Sequence, residues 1–200
     1  VSCANKLMEH LAYDVPVVVL AGMGNNGGDG LAVARNLHSA GQQEVSVVVL
    51  RYKTGGTAYH TANVRRAREA GVRVDFLEEG SELPTFSAQA LVVDALFGTG
   101  LQRPITGWLK TIVTALNARP NQVLAIDMPS GLFADDNGRN DRDAIVQADR
   151  TFTLELPKRA LFMADHAIYT GDWEVVPIGL DRAFIATLPT EAHLLESTDV

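Results

Sequence analysis

Two rhythms of apolar positions alternate along the chain. Ala4, Leu7, Met8 and Leu11 recur at i, i+3, i+4 and i+7, which predicts an amphipathic helix that yields at Asp14-Val15-Pro16. Val17 to Ala21 is then apolar at every position, the pattern of a strand covered on both faces in a parallel sheet. A glycine-rich stretch follows, and Leu31, Ala34 and Leu37 line a helix expected from about Gly30 to Ala40, with Gly41 as its terminator. Val45–Leu50, Val72–Leu77, Ala90–Asp94 and Val123–Ile126 read as further strands. Between them lie a helix ending near Gly71 and a helix with Leu109, Ile112, Val113 and Leu116 on one face and Thr106 as its N-cap. Beyond Gly138 the rhythm changes: Phe152, Leu154 and Leu156 alternate with Thr151, Thr153 and Glu155, and Trp173–Ile178 forms a last strand. Both are expected toward a sheet edge, where Pro177 is tolerated.

Apolar strands alternating with helices imply βαβ units, and so an α/β fold with a mostly parallel sheet between helical layers. Ligands of such sheets bind beyond the carboxyl ends of the strands, near the switch in strand order. That rule predicts that three polar segments meet at one edge: Ala21-Gly-Met-Gly-Asn-Asn-Gly-Gly-Asp-Gly30, Asp94-Ala-Leu-Phe-Gly-Thr-Gly100 and Asp127-Met-Pro-Ser-Gly131.

Composition narrows the function class. With 200 residues, 46% hydrophobic, the chain can bury the core of one globular domain. A net charge of −7 argues against a nucleic-acid or anionic-membrane surface, and Arg65-Arg66-Ala67-Arg68 reads as a solvated helix face. No apolar run approaches the ~20 residues of a membrane span. The single cysteine, Cys3, falls on the apolar helix face and reads as a plain buried or half-buried thiol. The histidines show no metal spacing, and neither Gly-x-Ser-x-Gly nor Cys-x-x-Cys occurs.

The chemistry concentrates in the three segments. Gly22, Gly24 and Gly27 satisfy G-x-G-x-x-G, yet the end of the second strand offers Arg51 and Tyr52 where a dinucleotide site usually carries an acid for the ribose. Asp29 near the helix start would also compete with a phosphate for the positive helix end. Asn25, Asn26 and Asp29 instead supply oxygens of the kind that hard cations prefer, and Asp94 and Ser130 can complete such a site. Asp94 has a second reading, as a carboxylate satisfied by loop N–H groups. Asp127 either braces its turn or faces the ligand as acid or base. From the residues alone Lys158 is a solvated loop lysine.

The three segments resemble the signature motifs of the NAD(P)HX epimerases, or YjeF-type N-terminal domains. So do Leu156-Pro-Lys158 and Tyr169–Leu180, so that the likeness runs roughly from Leu7 to Leu180. It implies a Rossmann-like three-layer αβα sandwich that interconverts the R and S forms of hydrated NADH and NADPH (NADHX and NADPHX) in metabolite repair. Substrate contacts would come from Asn25, Asn26, Gly27, Gly28 and Asp29, from Gly98, Thr99, Gly100, Leu101, Gln102, Arg103 and Pro104, and from Asp127. Asn26, Asp94 and Ser130 would bind potassium, and Asp127 with Lys158 would carry the acid–base chemistry. A cytoplasmic homodimer is the further expectation, with no nucleic-acid or membrane partner.

Residues 1–200 are expected to form one epimerase domain, with the family's N-terminal helices shortened and 181–200 resembling the start of a link to a dehydratase domain. Two other readings stand beside the epimerase. A non-catalytic nucleotide-binding or scaffold module would share the fold, as relatives in mRNA-decapping scaffolds do, and would not need the full Asn25, Asn26, Asp29, Asp94 and Asp127 set. A nicotinamide-dependent oxidoreductase would need a held ribose, and the missing acid after the second strand counts against it.

Overall fold

The computed structural model describes residues 2–190. Its centre is one sheet of seven strands, β1 (Val17–Ala21), β2 (Val45–Arg51), β3 (Arg73–Glu78), β4 (Leu91–Ala95), β5 (Val123–Ile126), β6 (Arg150–Leu154) and β7 (Asp172–Val176), in the order β3-β2-β1-β4-β5-β6-β7. Every pairing is parallel. The helices are α1 (Ser2–Met8), α2 (Asn25–Ser39), α3 (Ala58–Glu69), α4 (Gly107–Asn117), α5 (Ala167–Thr170) and α6 (Arg182–Ile185).

Residue alternation along the strands builds the layers. Val17, Val19 and Ala21 face one cluster with Leu31, Ala34 and Leu37 of α2 and Ala67 of α3. Val18 and Leu20 face the other, with Ile112, Val113 and Leu116 of α4. All of β1 is buried, as its unbroken apolar run predicts. Burying a side chain such as Leu31, Leu37 or Leu116 contributes about 1.5–3 kcal/mol. The strand order reverses between β1 and β4, which opens the crevice expected of a doubly wound sheet.

Several boundaries differ from the sequence reading. Helix α2 begins at Asn25 rather than Gly30, so most of the glycine segment is helical. Close packing explains the tolerated glycines: a Cβ on Gly27 would lie 1.8 Å from the Gly22 carbonyl oxygen, and one on Gly30 2.4 Å from the Ala95 Cβ. Helix α1 ends at Met8, and Leu11 packs on the core from the following turn. Thr106 holds the N-cap position of α4 without a side-chain hydrogen bond. Strand β6 lies one strand in from the edge, and Thr151 and Thr153 are fully buried. Leu156 falls outside it, because Glu155 turns with φ +58° and its carboxylate accepts from the amides of Ile178, Gly179 and Leu180. Cys3 is buried, as read. Among the described residues no helix is long and apolar enough to cross a membrane. Of the stretch read as a linker, residues 182–185 form α6, capped by the Asp181 carboxylate, and 191–200 lie outside the described residues.

Candidate active site

The three polar segments do meet. Beyond β4, Phe97 N donates to Ser130 Oγ at 2.8 Å and Thr99 N to Asp127 Oδ2 at 3.1 Å, which ties the second segment to the third. The first joins through Asn26, whose Nδ2 donates to the Ile126 carbonyl at 3.2 Å. Gly98 is the contact point of all three: a Cβ there would stand 2.7 Å from Asp127 Oδ2 and 3.3 Å from Asn26 Cγ. Only a residue without a side chain lets the amide and the carboxylate approach each other.

Asp127 leaves β5 with φ +71°, a left-handed conformation that Asp adopts more readily than most residues. Its N–H still donates to the Phe152 carbonyl at 2.8 Å, so the backbone turns while the β5–β6 connection holds. Lys158 Nζ donates to Asp127 Oδ1 at 2.6 Å, to Thr153 Oγ1 at 3.0 Å and to the Leu154 carbonyl at 2.9 Å. All three ammonium donors are used, and the two side chains are only 16% and 12% exposed. The solvated-lysine reading is thereby corrected: the ammonium reaches back under the strand end into the crevice.

Asp94 is fully buried and accepts from Ser130 N at 2.7 Å, Ser130 Oγ at 2.6 Å and Leu96 N at 3.1 Å. These are the bonds of a satisfied structural carboxylate. Burial nevertheless pushes its acid form up to about 6 against those bonds. Asn26 Oδ1, by contrast, is buried with no hydrogen-bond partner among the described residues. An orphaned buried acceptor costs about 1–3 kcal/mol, which a ligand or cation at that oxygen would relieve.

Asp29 does not cap the start of α2, contrary to the objection raised from its position. It lies in the second turn, and Tyr59 Oη donates to its Oδ1 at 3.0 Å. Burial raises its pKa, with the charge of Asp127 adding to the rise. Gly24 at the N-cap has no side chain, and the first turn carries no acid, so the leading amides of α2 keep their positive end free of a side-chain cap. The Tyr59 ring covers Gly28, where a Cβ would meet it at 2.5 Å.

Of the residues read from sequence, Asn26, Gly98, Thr99, Asp127, Lys158, Asp94 and Ser130 form one connected group. Gly27 and Gly28 are buried in the first turn of α2, and Asn25 is exposed at its tip. Gly100, Gln102 and Arg103 are exposed, while Leu101 and Pro104 are half-buried. Among the described residues no hydrogen bond joins Gln102 or Arg103 to the group. Sequence reasoning missed Tyr59 and Thr153. Tyr59 had no local signal, whereas Thr153, on the same strand end as Lys158's carbonyl acceptor Leu154, was visible as a polar position in an apolar alternation.

The profile of the family described as "YjeF-related protein N-terminus" matches residues 2–160. The chain belongs to that family. Similar relatives include the NAD(P)H-hydrate epimerase of Rhodopirellula baltica, 33% identical over 177 residues that cover 88% of this chain and 71% of that protein. That of Limosilactobacillus reuteri is 36% identical over 156 residues, 78% of this chain and 70% of the relative. The bifunctional NAD(P)H-hydrate repair enzyme Nnr of Thermofilum pendens is 35% identical over 92% of this chain, which spans only 35% of that longer protein. Among solved structures, yeast ynu0 superimposes with a TM-score of 0.74 at 23% identity, covering 99% of this chain and 84% of its own, which shows the fold.

Proposed function

We propose that the chain interconverts the R and S forms of hydrated NADH and NADPH, and that Asp127 and Lys158 carry the proton transfers. The observation that supports this most directly is the 2.6 Å Asp127–Lys158 pair held in the crevice where the three loops meet. A purely structural module has no need of such a pair beside an open, uncapped helix end.

The hydrated nicotinamide carries its hydroxyl on the carbon next to the ring nitrogen. A proton from the pair converts the departing hydroxyl to water as the C–O bond breaks with its electrons going to oxygen. The nitrogen lone pair closes a C=N⁺ bond. Water then adds from the opposite face, its oxygen supplying the new C–O electrons, and returns a proton to the pair. Such positioned acid–base help is worth typically ~10²–10⁴-fold. Asp127, negative and largely screened from water, stabilises the cation between the two steps. Thr153 and the Leu154 carbonyl hold Lys158 in place, and Thr99 N fixes the other carboxylate oxygen.

The orphaned Asn26 Oδ1 fits a potassium ion, a cation suited to amide, carboxylate and hydroxyl oxygens, and by the family likeness Asp94 and Ser130, which bond each other in the linked loops, would complete its ligands. Potassium would supply positive charge beside Asp94 and order the loops. By the family likeness the working unit is a cytoplasmic homodimer, and the longer bifunctional relatives fit a dehydratase domain accompanying this one in a full-length protein.

The test incubates purified protein with a single NADPHX epimer and follows the epimer ratio, in potassium chloride and in N-methylglucamine chloride. The expected result is faster approach to the equilibrium ratio than in buffer, and faster still in potassium. A ratio that drifts at the spontaneous rate refutes the activity, and equal rates in the two salts refute the potassium site.

A further inference from the structure

A cavity of about 690 Å³ opens beyond the carboxyl ends of β2 and β3, apart from the Asp127–Lys158 group. Its size lies within the ~300–1,000 Å³ usual for small-molecule sites. Met23, Val64 and Phe76 give it apolar wall, and Arg51, Lys53 and His60 give it donors. We infer that this cavity takes the adenosine half of the hydrated dinucleotide, with the ribose 2′-phosphate of the NADPH form held by Lys53 and Arg51. The inference rests on the substrate proposed above and names where its second half lies.

The cavity is continuous with the glycine segment of the active site. Met23 belongs to the glycine segment, and its carbonyl accepts from Thr57 N at 3.0 Å, which ties the cavity wall to the start of α3. On α3, Tyr59 covers Gly28 of α2 while the next residue, His60, lines the cavity. The uncapped start of α2 thus stands between the two openings, where a pyrophosphate bridging two nucleoside halves meets free amides and the positive helix end.

At the end of β2 a carboxylate selects a ribose diol, whereas cations accommodate a 2′-phosphate. Here β2 ends in Arg51, and Lys53 follows with no hydrogen bond or ion pair among the described residues, its ammonium 5.8 Å from the Tyr52 ring centre. Arg51 lies with its guanidinium 4.0 Å over the Phe76 ring, which fixes its plane, and donates to Glu78 at 2.8 Å. That pair is exposed on both sides, so a phosphate can replace Glu78 at little cost. Glu79 also stands on the rim and works against a phosphate, which makes the cations' contribution measurable.

His60 adds polar groups to the cavity wall. It is 96% buried by its 4% exposure, lines the cavity, and both ring nitrogens lack a hydrogen-bond partner among the described residues. Burial and the nearby Lys53 charge lower its pKa, and each unpartnered ring nitrogen is a hydrogen-bonding group that a single polar atom of the nucleoside would satisfy.

The experiment is calorimetric titration with adenosine 2′,5′-bisphosphate and with 5′-AMP, on the unaltered protein, Lys53→Ala and Glu78→Gln. The bisphosphate should bind roughly tenfold or more tighter than AMP, as one charge-assisted contact implies. Lys53→Ala should shrink that preference while Arg51 retains part of it, Glu78→Gln should enlarge it by freeing Arg51, and the ratio of kcat/KM for NADPHX over NADHX should move in the same directions. Equal binding of the two nucleotides, or a preference unchanged by Lys53→Ala, overturns the inference. Epimerisation without the preference refutes this subsite alone. The preference without epimerisation supports the subsite and refutes the proposed activity.

Discussion

Replacing Asp127 by asparagine removes a charge while leaving almost everything else in place. The backbone sits at φ +71°, and asparagine tolerates that region as well as aspartate does. The new amide oxygen can still accept from Thr99 N. What changes is the field at Lys158, whose ammonium faces Asp127 Oδ1 at 2.6 Å with 16% of the side chain exposed. Removing one partner of a fully buried pair costs about 3–5 kcal/mol. Here Thr153 Oγ1 and the Leu154 carbonyl remain bonded to the ammonium, so the loss should be nearer 1–3 kcal/mol, read by urea unfolding. The effect on rate should be larger: with the charged acid–base group gone, kcat for epimer exchange should fall by ~10²–10⁴-fold, with KM moving less. Asp127→Ala supplies the contrast, since alanine at positive φ adds about 1–3 kcal/mol of backbone strain to the stability loss and nothing further to the rate loss. A folded Asp127→Asn protein that exchanges epimers at the unaltered rate would refute the assignment.

Two further outcomes follow from single positions. Gly98→Ala places a Cβ 2.7 Å from Asp127 Oδ2 and 3.3 Å from Asn26 Cγ, so the second loop must shift; kcat should fall at least tenfold, a barrier rise of about 1.4 kcal/mol, while unfolding in urea changes little because the residue lies outside the core clusters. Cys3, 8% exposed and with its thiol pushed up to about 11 by burial, should resist iodoacetamide at pH 8 in the native protein and react fully once unfolded; rapid native labelling would show that α1 does not hold it.

The fold was legible because its central strands carry unmixed apolar runs. Val17–Ala21 and Val123–Ile126 have no polar face to hide, and only a sheet covered on both sides accommodates them. The start of α2 was not legible, since local propensity argues against a helix that opens with Asn25-Asn26-Gly27-Gly28. Tertiary contact decides it: the glycines are the residues that let α2 lie against the Gly22 carbonyl, the Tyr59 ring and Ala95. Strand β6 misled in the other direction. Its alternation suggested a place toward the sheet edge, yet it lies one strand in, where Thr151 donates to the Thr170 carbonyl and Thr153 accepts from Lys158, so both hydroxyls are satisfied inside the protein.

The site shows the same division between what spacing carries and what only packing decides. Asp94, Asp127 and the glycine segment each stand at a strand end, so the rule for parallel sheets places them together. Lys158 and Asp127 are 31 positions apart, and no periodicity relates them. The residues between supply the reason they meet: β6 pairs beside β5 in parallel, so both chains emerge at the same edge, and Glu155 turns back there with φ +58°. The turn carries Lys158 underneath its own strand end, where the Leu154 carbonyl and the Thr153 hydroxyl accept two of its protons and leave the third for Asp127. A lysine placed by its own strand in this way keeps its orientation when the carboxylate is altered, and this is why loss of the Asp127 charge should register in turnover more than in folding.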